Sequence, residues 1–200
     1  MADRQEHLSR ISRYQASLAE RGLAGALLLN AVDVFYLSGT RQNGALFLPA
    51  AGAPVLLVRK SLARAKAESA VEDVRPFPAS RDLAAALRAS GRIGAAFEAV
   101  PAATLEWWRR QLPDAELVDG GLLLREQRSV KSAAEIETMR EGSRRICGVF
   151  AGIPSFLRSG MREVDLSAEI EGRLRRAGNE GVPRLRAFNA ELFIGLAVAG

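Results

Sequence analysis

The stretch Leu122-Leu-Leu-Arg-Glu-Gln-Arg-Ser-Val-Lys-Ser-Ala-Ala-Glu-Ile-Glu-Thr-Met-Arg140 separates two patterns in this chain. Before it, short apolar runs alternate with helix-like segments, and after it, longer charged helical segments follow. Within it, Ser132 and Glu135 have the spacing of a capping box, in which the serine oxygen and the glutamate side chain bond the free amides at a helix start. We therefore predict the end of one domain, a short basic connector and the first helix of a second domain.

The composition is that of an ordinary globular protein. Apolar residues make up 48% of the chain and charged residues 26%, which excludes disorder of the chain as a whole. The 28 basic residues exceed the 23 acidic residues, but they are scattered rather than blocked, which favours a solvated surface over a nucleic-acid surface. Nucleic-acid binding is therefore the weakest alternative. The arginines that would supply its positive charge are Arg109, Arg110, Arg144, Arg145, Arg173, Arg175 and Arg176.

One cysteine and one histidine limit the metal and redox chemistry of the chain. Cys147 lies in a predicted helix beside an isoleucine, and we interpret it as a buried structural thiol. His7 is near the amino terminus, so a zinc site built mainly on Cys and His is excluded. The carboxylates Glu135, Glu137 and Glu141 have the spacing of a solvated helix face rather than of a metal site.

The amino terminus is polar and mixed in charge, and it lacks the apolar core of a signal peptide. No run in the chain approaches the length that spans a bilayer. We therefore expect a cytoplasmic protein that has no membrane partner.

Strand-like and helix-like segments alternate up to residue 121. Short apolar runs predict strands at residues 24–29, 45–48, 54–58, 71–77, 93–97 and 116–119. Helical patterns cover residues 4–21, 61–69, 80–89 (with Ser80 as its cap) and 102–112. Residues 30–33 have turn chemistry, and residues 34–37 form a further short apolar piece.

This order predicts an α/β domain with helices on the faces of a sheet. Since the turn-separated runs at residues 45–58 indicate a hairpin, the sheet should be mixed rather than purely parallel. Of the adjacent Trp107 and Trp108, we expect one to pack inward and the other to stay partly exposed. Core packing is the favoured interpretation of this pair over a stacking platform for nucleic acid.

After the connector, helices are predicted at residues 133–150 and 163–177, and strands at 185–188 and 192–198. The last strand is apolar throughout and needs pairing partners and a covering layer. A second domain of two helices and two strands therefore looks incomplete.

Three clusters of residues resemble the creatinase, prolidase and Xaa-Pro aminopeptidase family. The first includes Asn30, Asp33 and the run Tyr36-Leu-Ser-Gly39, and the second is Leu124-Arg-Glu-Gln-Arg-Ser-Val-Lys-Ser-Ala-Ala-Glu-Ile136. The third begins at Gly160-Met-Arg-Glu163 and runs to the glycine at position 178. The resemblance covers essentially the whole chain.

The resemblance implies an α/β fold: a mixed-sheet, creatinase-like amino-terminal domain (residues 1–124), followed by the first part of a pita-bread α+β catalytic domain (residues 125–200). In complete family members five ligands hold two divalent metals (Mn, Co or Zn). These metals lower the pKa of a bridging water and polarise the scissile carbonyl. No residue of this chain matches a catalytic residue or a metal ligand of the family, and Asp165, Glu169 and Glu171 have no counterpart role.

The function that the resemblance implies is the front portion of a dinuclear metallopeptidase that hydrolyses X-Pro bonds, inactive as these 200 residues. The alternative is a non-catalytic oligomerisation or binding module. The resemblance also implies a homodimer in which the amino-terminal domain leans over the neighbouring active site, with residues 36–44 as the reaching loop. Tyr36 and Arg41 would then bind substrate, with Arg41 facing a carboxylate, although a solvated loop arginine remains the other interpretation.

Overall fold

The computed structural model describes residues 4–181, and the chain divides into two compact units, Met1–Val130 and Lys131–Gly200. The helices are α1 (Arg4–Glu20), α2 (Ala31–Ser38), α3 (Leu62–Glu68), α4 (Leu83–Leu87), α5 (Ala102–Gln111), α6 (Gly121–Ser129), α7 (Ala133–Ala151) and α8 (Glu163–Arg176). The strands are β1 (Gly25–Leu28), β2 (Gly44–Pro49), β3 (Val55–Val58), β4 (Asp73–Pro76), β5 (Gly91–Ala95) and β6 (Ala115–Asp119).

The first unit is built on one mixed sheet with the strand order β4-β3-β2-β1-β5-β6. β2 runs antiparallel to both of its neighbours, β1 and β3, whereas the other neighbouring pairs are parallel. The predicted hairpin and the predicted mixed sheet are therefore confirmed.

Each face of the sheet is covered by its own apolar core. Because side chains alternate along a strand, Leu46 and Leu48 of β2 enter the core shared with α1 and α2, whereas Ala45 and Phe47 enter the core shared with α4 and α5. β1 is buried along its whole length, which explains why its apolar run is continuous.

Residues 31–38 form the helix α2, where the sequence predicted a turn followed by a separate apolar piece. The Asn30 side chain accepts a hydrogen bond from the Val32 amide (3.0 Å) and caps α2, and Gly39 closes the helix with a φ of 84°. A four-residue apolar run is compatible with either structure, and the cap makes this one helical.

The predicted helix at residues 80–89 is shorter than expected. Ser80 makes no side-chain cap and instead begins a 3₁₀ turn, Ser80–Asp82, that leads into the single turn and a half of α4. The tryptophan pair behaves as predicted: Trp108 is buried, Trp107 is partly exposed, and their rings meet edge to face at 5.1 Å.

In the second unit, the predicted capping box at the start of α7 is confirmed. The Ser132 side chain accepts from the Glu135 amide (3.1 Å), and the Glu135 carboxylate accepts from the Ser132 amide (2.8 Å). α8 also lies where its apolar pattern predicted it. The strands predicted at residues 185–188 and 192–198 lie outside the described residues.

The prediction of a buried Cys147 was wrong, because the thiol is exposed on α7. Its neighbour Ile146 is itself half exposed, as are Met139 and Phe150 on the same helix. An apolar neighbour in sequence buries a thiol only where another element covers that face. Throughout residues 4–181, the structure contains no helix that combines the length and the apolar character needed to cross a membrane.

Candidate functional site

The acidic side chains of α7 and α8 are engaged in local contacts rather than grouped around a centre. Glu135 caps α7, and Glu137 and Glu141 pair with arginines one turn further along that helix, at 3.6 and 2.8 Å. On α8, Asp165 and Glu169 form ion pairs with arginines at 2.7 and 2.8 Å. The hydrogen bond from the α8 cap, Arg162, lowers the pKa of Asp165.

The residues from 4 to 181 do not fit the dinuclear metal site of the family. Within that range no group of three or more His, Cys, Asp and Glu side chains is arranged to hold a metal ion. The sole histidine, His7, is buried and faces a backbone carbonyl, with its Nδ1 3.0 Å from the Tyr36 oxygen.

Two residues from separate parts of the family resemblance meet in the first unit. Arg128 of α6 donates from Nη1 to Oδ1 of Asp33 in α2 at 3.0 Å, across 95 positions of sequence. Asp33 is only 4% exposed, so its carboxylate depends on charged and polar neighbours in place of water. This ion pair joins α6 to α2 within the first unit.

Tyr36, predicted to bind substrate, lies in the core. Its ring is flanked by the guanidinium carbons of Arg10, at 4.2 Å, and Arg128, at 5.7 Å from the ring centroid. Its carbonyl accepts a hydrogen bond from Arg10 Nη1 (3.1 Å). The residue is 7% exposed, and its hydroxyl has no hydrogen-bond partner among the described residues.

Arg41, the second predicted substrate residue, is exposed just beyond the end of α2. Its guanidinium carbon lies 5.9 Å from the centroid of the Phe35 ring. The preceding Thr40 is fully buried and donates to the Glu68 carboxylate at 2.7 Å. Hydrogen bonds from Arg64 and then Thr40 hold the pKa of Glu68 below its usual range. The structure thus places Arg41 at the surface and Tyr36 in the core.

Sequence reasoning did not identify the buried polar contacts around Tyr36. Arg10 is 4% exposed, pairs with Glu6 one turn away, and receives at its own carbonyl a hydrogen bond from Gln127 Nε2 (3.0 Å). The helical pattern of α1 predicts that Arg10 is solvated. Its burial becomes visible only from its neighbours in space. The single sequence signal was that Asp33 and Arg128 both belong to runs that resemble one family.

The mixed six-stranded sheet and its covering helices define an α/β domain, and a second unit, which contains α7 and α8, follows it in the sequence. The chain belongs to the creatinase/prolidase family: the model of the Creatinase/Prolidase N-terminal domain matches residues 10–130.

Relatives extend this match through both units. The probable dipeptidase PepE of Mycobacterium tuberculosis (strain ATCC 25618 / H37Rv) is 32% identical over 200 aligned residues, which cover 90% of this chain and 51% of the relative. The crystal structure of dipeptidase PepE from Mycobacterium ulcerans matches with a TM-score of 0.76 and 27% identity, over 91% of this chain and 52% of that one.

The Xaa-Pro dipeptidase from Bacillus anthracis shares the fold with a TM-score of 0.77 at 20% identity, over 86% of this chain and 50% of that chain. The chain spans about half the length of the curated relatives that it matches. The expected mixed α/β, creatinase-like fold is therefore confirmed.

Proposed function

We propose that these 200 residues form the amino-terminal part of a cytoplasmic dipeptidase that hydrolyses X-Pro peptide bonds. The observation that carries the proposal is the match to a probable dipeptidase along 90% of this chain, through both units. The fold shared with an Xaa-Pro dipeptidase supports proline as the residue after the scissile bond.

The chemical step of this dipeptidase would then be carried out by residues outside residues 4–181. Within residues 4–181, the donors needed for two divalent metals (Mn, Co or Zn) are not grouped. We expect these 200 residues, purified free of host peptidases and supplied with Mn²⁺ or Co²⁺, to leave Gly-Pro and other Xaa-Pro dipeptides uncleaved. Metal-dependent turnover by this chain alone would contradict that expectation.

Arg41 is the residue that we propose for substrate recognition, in a homodimer in which the first unit faces the partner's active site. A dipeptide carries its carboxylate one residue from the scissile bond, and a guanidinium forms charge-assisted, bidentate hydrogen bonds with a carboxylate. Arg41 is exposed, so it is free to make that contact. Tyr36 belongs to the same segment, and in this proposal it supports that segment from the core.

Substitution of Arg41 in the active protein tests this role. Arg41→Ala should raise KM for a dipeptide about tenfold, because a hydrogen bond to a charged group is lost, and should leave kcat nearly unchanged. For the dipeptide amide, which lacks the carboxylate, the variant should behave like the parent. Arg59→Ala is the matched control, since Arg59 is also exposed and lies over an aromatic ring, Phe77, at 3.9 Å. Equal KM values for parent and Arg41→Ala would remove the proposal.

The alternative is an oligomerisation module without catalysis, supported by the compactness of the first unit and the lack of grouped metal donors in the described residues. Both readings include a homodimer through the first unit. Sedimentation of residues 1–130 should therefore show a dimer at micromolar concentration, and a monomer at all concentrations would contradict it.

A further inference from the structure

His7 is a buried side chain that the proposed function does not use. It is 6% exposed on α1, and its Nδ1 lies 3.0 Å from the Tyr36 carbonyl oxygen of α2. Since a carbonyl only accepts, Nδ1 carries the proton of this hydrogen bond. The other edge of the imidazole is then directed at the turn where α2 ends.

That turn is held from two sides. At Gly39, whose φ is 84°, a Cβ atom would lie 3.1 Å from His7 Nε2 and 3.2 Å from the carbonyl oxygen of Glu68 at the end of α3. The next residue, Thr40, is fully buried and bonded to the Glu68 carboxylate. The backbone that leads to Arg41 is therefore packed against both α1 and α3 up to the residue before it.

The side chain of Arg41 is connected to His7 through Phe35. The His7 and Phe35 rings meet edge to face with centroids 6.3 Å apart. The Arg41 guanidinium carbon is 5.9 Å from the centroid of the same Phe35 ring. The imidazole thus supports both the backbone turn and the aromatic ring over which Arg41 lies.

We propose that His7 is a positioning residue for Arg41. The His7 ring fixes the position from which the Arg41 guanidinium meets a substrate carboxylate. The inference rests on the proposed role of Arg41. Holding a flexible cation in its binding position before the substrate arrives removes part of the ordering cost of binding. A positioning role therefore predicts a change in KM for substrates with a carboxylate and little change in kcat.

Two substitutions in the active protein separate the ring from its hydrogen bond. His7→Asn keeps a donor near the position of Nδ1 but removes the ring, and His7→Phe keeps the ring but removes the donor. His7→Asn should raise KM for a dipeptide about two- to tenfold, the range expected for one side chain that must be ordered on binding. His7→Phe should stay close to the parent, and neither variant should change KM for the dipeptide amide.

A double variant distinguishes this inference from the proposed function beneath it. His7→Asn added to Arg41→Ala should have no further effect on KM. If Arg41→Ala raises KM but His7→Asn does not, or if the two effects multiply, the positioning role is overturned and the role of Arg41 stands. If Arg41→Ala leaves KM unchanged, both are overturned. Should His7→Asn fail to fold, Phe35→Leu removes the ring beneath Arg41 and must raise KM in the same way.

Discussion

At the scale of single residues, the side chains with the clearest roles are those whose partners are far away in sequence. Judged by its neighbours in sequence, Asp33 is an ordinary carboxylate at the start of a helix. In the structure it is buried and paired with Arg128. Tyr36 was expected to bind substrate, yet it is buried and its ring contacts two guanidiniums. In both cases a residue of the family resemblance stabilises the first unit.

Removing the guanidinium of Arg128 should destabilise the first unit strongly. Arg128→Ala leaves the Asp33 carboxylate buried without that guanidinium, so we expect a loss of about 3 kcal/mol in the free energy of unfolding. Urea unfolding followed by tryptophan fluorescence measures it. Arg21→Ala is the control, because Arg21 pairs at 3.7 Å with Glu126 of α6, the helix that also carries Arg128, and both of these side chains are mostly exposed. This control substitution should lower the free energy of unfolding by less than about 1 kcal/mol. Equal losses would show that the Asp33–Arg128 pair is not special.

Tyr14 should make the protein sensitive to alkali. Burial, and then the negative charge of Asp33, raises the pKa of Tyr14 above its usual value. Above about pH 10 the unfolded chain releases this proton while the folded chain retains it, so stability falls as pH rises. Relative to Tyr14→Phe, the parent should lose up to about 1.4 kcal/mol per pH unit between pH 10 and 12. Parallel stability curves for the two proteins would refute this assignment.

At the scale of elements, α2 and α7 differ in how clearly their sequences specify them. α7 has 19 residues and a capping box, so its start and its length are both written in local chemistry. α2 has eight residues, and its apolar run also suits a strand. It becomes a helix through the Asn30 cap and through the burial of Val34 and Leu37.

The Ser132 cap should have a measurable effect on α7. Ser132→Ala removes the acceptor for the Glu135 amide, which typically costs about 1 kcal/mol. Hydrogen exchange should speed up at the amides of the first turn of α7, and circular dichroism should show a lower helix content. Ser143→Ala makes the same chemical change at an exposed position inside the helix and should be neutral or slightly stabilising. Identical exchange in the two variants would contradict the cap's role.

At the scale of the whole molecule, the two units differ in their cores. The first has an apolar core on each face of its sheet. In the second, within the described residues, the helices carry apolar side chains that remain half exposed, such as Met139 and Val164. The first unit therefore has what an independently stable domain requires.

Residues 1–130 should fold without the rest of the chain. Both tryptophans lie in this unit, so their fluorescence reports its unfolding in either protein. We expect the midpoint of thermal unfolding for residues 1–130 to lie within a few degrees of that for the 200-residue chain. A fragment that ends at residue 124 should be less stable, because it lacks the end of α6 and its Arg128–Asp33 pair. An unfolded 1–130 fragment would show that the first unit depends on the second.

The residue patterns predicted much of the fold and less of the candidate site. Up to residue 181, the predicted strands, the hairpin and the long helices follow from local periodicity and turn chemistry, and their positions agree with the structure to within a few residues. The sequence proposed Arg41 and Tyr36 from one segment, but could not show that the first is exposed and the second buried. Exposure depends on which other elements cover a side chain.

The sequence by itself determined the mixed α/β order, the capping box of α7 and the family to which the chain belongs. Each of these depends on residues close together along the chain or on whole runs that match a known pattern. Only the tertiary structure decided that Asp33 pairs with Arg128, that His7 lies beside Gly39, and that Cys147 is exposed. These features depend on contacts between distant segments, and packing of the whole chain, not local preference, determines which segments meet.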